Sequence, residues 1–132
     1  MAQDLYTRGQ LEREISQKIQ SFYRSHLGHQ PSKVTSQLFG TKLAIIIENS
    51  ITSAEQILVE EGKDELAKKV RSNLDNAIKP DLKRLIEEIA KVEVLDMLSD
   101  ATLETGRTGI ILILDRIPEM RESVSLQKIK KK

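Results

Sequence analysis

A chain of 132 residues, 39% hydrophobic and 31% charged, has the size of one globular domain with a well-solvated exterior. Its 21 Lys plus Arg against 20 Asp plus Glu leave a net charge of +1, which argues against a general nucleic-acid binder, and two Tyr, two Phe and no Trp offer no base-stacking platform. The absence of cysteine removes disulfides, thiolate nucleophiles and cysteine-based zinc sites together.

Residues 1–6 contain an early acid and no apolar core, so they read as a frayed start and not as a secretory signal. Thr7-x-x-Gln10 is a capping box. The helix it opens carries Leu11, Ile15, Ile19, Phe22 and His26 on one face, with Glu14 and Lys18 paired on the other. Gly28 ends it, and Pro31 forces Gln30 to be extended.

The stretch Ser32–Glu55 is the centre of the chain. Val34, Ser36 and Leu38 alternate with Lys33, Thr35, Gln37 and Phe39, the period of a half-buried strand. A tight turn at Phe39–Gly40–Thr41–Lys42 leads to Leu43–Ala44–Ile45–Ile46–Ile47, which is apolar at both parities, so both of its faces are expected to be covered. Thr52-x-x-Glu55 is a second capping box, opening a short helix, Ser53–Glu61, with Ala54, Ile57 and Leu58 inward and Gly62 as its stop.

A long helical pattern follows from Asp64 to about Ala90, with the stripe Leu66, Val70, Leu74, Ile78, Leu82, Leu85/Ile86 and Ile89. The stripe keeps its phase across Pro80, which favours one kinked helix over two. Glu65/Lys69 and Glu87/Lys91 are spaced to pair along its outer face. Val92–Ser99 reads as a third strand, Asp100–Arg107 as a loop, and Thr108–Asp115 as a fourth strand, apolar on both faces at Ile110–Leu114. Both apolar runs fall far short of the ~20 residues of a membrane span. A soluble, cytoplasmic protein without direct membrane insertion is the expectation.

The predicted fold is therefore a single α+β domain over residues 1–118, in the order α-β-β-α-α-β-β. Its four-stranded, largely antiparallel sheet is covered by helices, with the two doubly apolar strands in the middle. Residues 119–132 form a basic tail expected to be disordered. Such strands and so long a helix carry more apolar surface than three helices readily cover, which predicts a homodimer.

Chemistry is sparse. His26 and His29 would need a third ligand to hold a metal, and the plainer reading is a pair of surface histidines at a helix C-terminus. Asp96, Asp100, Asp115 and Glu119 gather in the second strand pair, where solvated acids are ordinary. In Thr105–Gly109, Arg107 and Thr108 are anion-site candidates, although the stretch lacks the lysine and following helix of a P-loop. Lys128, Lys130, Lys131 and Lys132 are candidates for docking to an acidic partner or surface. No catalytic constellation, cofactor site or metal site emerges.

Several motifs together resemble the MpsC-like family: Leu27-Gly28-His29-Gln30-Pro31 after the first helix, the doubly apolar strand, Ile51-Thr52-Ser53-Ala54-Glu55, Arg71 on the long helix, and Leu98-Ser99-Asp100 before the last strand. The resemblance spans about Thr7–Pro118. A typical member has Thr-Gly before the third strand where this chain has Ala90-Lys91, so the cap there is expected to differ. The family was long a domain of unknown function, and it supplies no catalytic residues to carry over. The resemblance implies a soluble bacterial protein serving a membrane ion or inorganic-carbon transport system, and the first functional reading is a non-enzymatic accessory or regulatory protein, dimeric, acting through protein contacts. A small-ligand or anion sensor using the loop around Arg107 is the second reading, and an enzyme using the carboxylates of the second strand pair is the third.

Overall fold

Two reciprocal caps decide where the chain turns helical. In a computed structural model, which describes residues 5–121, α1 (Arg8–Leu27) opens on Thr7 and Gln10, each side chain accepting from the other's backbone N–H. Leu11, Ile15, Ile19 and Phe22 are buried as their spacing predicts, and Tyr23 joins them. Gly28 ends the helix in the left-handed conformation, and Pro31 is buried where the chain turns toward the sheet. Tyr6 is not free: its carbonyl accepts from Arg121 N–H, and Met120 packs against the core, so contacts with the body continue past Pro118.

β1 (Lys33–Phe39) and β2 (Lys42–Glu48) form a hairpin across Gly40-Thr41. Gly40 has φ 62°, which suits the first position of a two-residue hairpin loop. α2 (Ser53–Glu60) and α3 (Asp64–Ala90) follow, then β3 (Val94–Thr102) and β4 (Arg107–Leu114). The strand order is β1-β2-β4-β3 and every pairing is antiparallel, so the two doubly apolar strands are central and the others are edges. The α+β order and the four-stranded antiparallel sheet are as the sequence predicts.

Four expectations are corrected. The second hairpin is longer than its sequence suggests: β3 runs to Thr102, because Asp100, Ala101 and Thr102 still pair with Gly109, Thr108 and Arg107. Among the described residues, helices cover one face of the sheet and not the other. Leu43, Ile45, Ile47, Ile110, Leu112 and Leu114 pack with α1 and α3, whereas Ile46 on β2 stays 44% exposed and Ile111 on β4 37%. On α2 the inward residue is not Ala54 or Ile57, both exposed, but Glu55. On α3 the first half turns Ala67 and Arg71 inward and leaves Leu66 out.

The charge pairs along α3 are also rearranged. Glu65 pairs with Lys68 and not Lys69, and Glu87 accepts from the Val94 backbone instead of reaching Lys91. Glu14–Lys18 forms as spaced. α3 runs unbroken through Pro80. Lys91 caps it with φ 58° and ψ 42°, so the lysine adopts the left-handed geometry a glycine would take, and the cap keeps its shape.

Candidate functional site

The inward turn of Glu55 and Arg71 creates a strongly polar centre in the interior. Glu55 is held by α2's own cap. Its Oε1 accepts from Thr52 N–H and from the Thr52 hydroxyl, while Thr52 Oγ1 accepts from Glu55 N–H. Across from it, Arg71 projects from the middle of α3. Arg71 Nε donates to Glu55 Oε2 at 2.7 Å and Nη2 donates to Glu55 Oε1 at 2.6 Å, a two-point contact that matches the planar guanidinium to the carboxylate. Nη2 also donates to the Ser50 carbonyl at 2.8 Å, and Nη1 donates to Asp75 Oδ1 at 3.1 Å. Glu55 is 0% exposed and Arg71 4%.

The group reaches further through Ser50. The Ser50 hydroxyl donates to the Gly106 carbonyl and shares a 2.7 Å bond with the buried Thr108 hydroxyl. One guanidinium thus ties α2, α3 and the loop before α2 together, and that loop is tied in turn to the start of β4. Among the described residues every buried polar side-chain atom has a partner, which is what allows so much charge to be tolerated inside.

The electrostatics follow from the contacts. Burial opposes charge on Glu55, but Arg71 and Thr52 outweigh it and hold the carboxyl below the ordinary carboxylate value. Arg71 is likewise desolvated, yet Glu55 and Asp75 raise its affinity for its proton. Asp75 behaves oppositely: burial dominates and pushes its carboxyl up despite Arg71. Tyr23 lies beside Asp75 under α3, and burial pushes its hydroxyl up to about 12.

Asp75 marks where this knot reaches solvent. A cleft of roughly 630 Å³ lies between α3 and the end of the β3–β4 hairpin, with Arg71 and Asp75 in its wall, Lys68 and Lys79 on the helix side, and Asp100 and Glu104 on the hairpin side.

Of the sequence-derived candidates, Asp100 borders this cleft, and the others described do not converge on it. Arg107 and Thr108 are neighbours in sequence but face opposite sides of the sheet: Arg107 Nε donates to Glu48 at the surface, and Thr108 is buried against Ser50. His26 stacks on Phe22 and lies 3.6 Å from Asp81, while His29 Nε2 contacts the Asn49 carbonyl. Asp96 and Asp100 accept from the next backbone N–H in their own strand, and Asp115 bonds Glu93 N–H and Arg116. Among the described residues no group of three His, Cys, Asp or Glu is placed to hold a metal. Lys128, Lys130, Lys131 and Lys132 lie outside the described residues.

Glu55 and Arg71 were legible as a cap and as a motif residue, not as a pair. The missed signal is phase. Arg71 stands four residues after Ala67 and seven before Ile78, inside the buried stripe.

Fold and polar centre together define a small α+β domain: a four-stranded antiparallel sheet, three helices on one side, and a buried carboxylate–guanidinium knot fixing the two later helices. The chain belongs to the family described as Na+-translocating membrane potential-generating system (MpsC), whose model matches residues 7–116. No curated protein and no solved structure gives a match. Among the described residues no helix is long and apolar enough to cross a membrane.

Proposed function

We propose that this protein is a non-catalytic accessory subunit, dimeric and cytoplasmic, that serves a bacterial membrane ion or inorganic-carbon transport system through protein contacts. The observation that carries the reading is the open sheet face. Ile46, Ile111, Leu98 and Phe39 stand exposed on the sheet, and among the described residues no helix lies over them. Contiguous apolar side chains on such a surface are the mark of a contact site. The buried polar centre fits the same reading, because Arg71 is engaged by Glu55, Asp75 and Ser50 and works as a tie within the fold. The family description supplies the membrane context. A peripheral subunit needs no membrane-crossing helix of its own.

The experiment is crosslinking in cells followed by membrane isolation at low and high salt. The expected result is a defined crosslink to an ion-transporting membrane protein, with salt releasing the uncrosslinked fraction. A protein that stays in the soluble fraction and crosslinks to no membrane protein would overturn the reading. The cleft beside Asp75 favours a second reading, a small-ligand sensor, and saturable binding of a defined solute lost on Lys79→Ala would select it.

A further inference from the structure

We infer that the open face of the sheet is covered by a second copy of this chain, the two sheets stacking face to face about a twofold axis that runs along the boundary between β2 and β4. The inference rests on the reading above only in taking this face as a contact surface, and it gives that surface to a second copy and not to the membrane partner. It stands or falls by itself in purified protein.

An isologous interface must be complementary to itself, and this face is. Its centre is made of alternating large and small residues. Ile46 lies beside Gly109 and Ala44 beside Ile111, paired across β2 and β4. Around that centre stand Lys33, Lys42 and Arg107 against Glu48, Asp96 and Asp100, three cations and three anions. A face with one sign of charge would repel its own copy; this one is balanced.

Register leaves two in-plane axes, and the charge pairs separate them. Rotation about a line parallel to the strands exchanges β2 with β4 and preserves each row. Ile46 then sits over Gly109 of the second copy and Ile111 over Ala44 of the second copy, bulky residue against small. Arg107, already bonded to Glu48 within its chain, comes over Glu48 of the second copy and makes a four-charge network. The other in-plane axis, across the strands, also sets Ile46 and Ile111 over small residues and pairs Lys42 with Glu48, but it moves Arg107 from Glu48 to Ile113. The first axis leaves Lys42 over Ile113 and Asp96 over Phe39. The two axes differ in which charge pair they form, and the axis along the strands is the one that extends the Arg107–Glu48 pair.

The size is consistent with a reversible dimer. Four strands about 4.8 Å apart and seven residues at about 3.3 Å each cover roughly 440 Å² before side-chain relief is counted. Over both copies that is about 880 Å², below the roughly 1,000 Å² of a stable interface, so the contact belongs to the weak, transient class.

The test is mass in solution by sedimentation or light scattering, from low to high micromolar. One chain is 15.0 kDa. Wild type should approach twice that mass with rising concentration, and Ile46→Lys should remain at one chain with an unchanged circular dichroism spectrum. Glu48→Arg and Arg107→Glu should each dimerise at least tenfold more weakly alone and recover when mixed one to one. Wild type at one chain throughout, or Ile46→Lys that still dimerises, would overturn the face. Single charge variants that weaken the dimer but fail to recover on mixing would overturn the axis.

Discussion

Arg71 grips Glu55 at two points, 2.7 Å from Nε to Oε2 and 2.6 Å from Nη2 to Oε1, with both side chains removed from solvent. The two residues lie on different helices, so this contact sets the relation of α2 to α3. The apolar hold on α2 is partial, since its Ala54 and Ile57 are exposed and Leu58 and Val59 are half-buried. Arg71→Ala leaves Glu55 charged and unpaired inside the protein, which should lower the unfolding free energy by about 3–5 kcal/mol. Arg71→Lys should recover little, because one ammonium cannot reproduce the planar fork. Urea titration gives both numbers, and a loss under about 1 kcal/mol for Arg71→Ala would make the knot a minor feature.

Acid should reveal the same pair through its pH dependence. Glu55's pKa is lowered in the folded state, so its stabilisation is complete above the unfolded value near ~4.3 and disappears as pH falls through the folded value. Asp75's is raised, so its contribution has the opposite sign: it is present at low pH and lost as pH rises through the folded value. Glu55→Gln should flatten the acid limb of the stability profile, and Asp75→Asn should improve relative to wild type as pH rises above that range. Denaturation midpoints from pH 3 to 7 separate the two, and parallel profiles for all three proteins would contradict the assignment.

Alkali should act through Tyr23. Its folded pKa of about 12 lies above the ordinary value near ~10, so the neutral, buried phenol stabilises the fold fully below the unfolded value. That contribution is lost as pH rises from there through about 12. Tyr23→Phe should be nearly insensitive over that window while wild type weakens. Absorbance titration of the phenolates reports the same group directly.

Lys91 occupies a backbone conformation that costs a side-chain-bearing residue about 1 kcal/mol or more. Lys91→Gly should therefore raise stability by up to about 1 kcal/mol, partly offset by greater freedom in the unfolded chain. The Glu87 carbonyl still receives the cap N–H in the variant. An unchanged or lower melting temperature would show that another contact of Lys91 outweighs the strain.

Thr52 serves two roles, capping α2 and orienting Glu55 for Arg71. Thr52→Ala should cost about 1 kcal/mol from the cap alone. The mutation should also couple to Arg71→Ala. If the double variant loses as much as the sum of the single losses, the cap and the knot are independent.

The elements of this fold were legible because they rest on local chemistry. Thr7/Gln10 and Thr52/Glu55 announce helix starts, and the apolar parity of Leu43–Ile47 and Ile110–Leu114 places those strands at the centre. What parity cannot give is the occupant of the second face. Ile46 and Ile111 are apolar whether a helix, another copy or solvent lies beyond them. The candidate site was hidden for a related reason. Helical spacing read Leu66, Val70 and Leu74 as the inner stripe, but an arginine with four bonds to the interior displaced that stripe by one residue, to Ala67 and Arg71. Only the tertiary partner makes Arg71 an inward residue.

The central claim is that this protein serves a membrane ion system as an assembly joined through its open sheet face. The most direct test is the membrane potential of cells lacking the protein, complemented with wild type or with Ile46→Lys at matched expression. Loss of a sodium-dependent component of the potential, restored by wild type and not by Ile46→Lys, is the expected result. An unchanged potential in the deletion strain, or full rescue by Ile46→Lys, would contradict it.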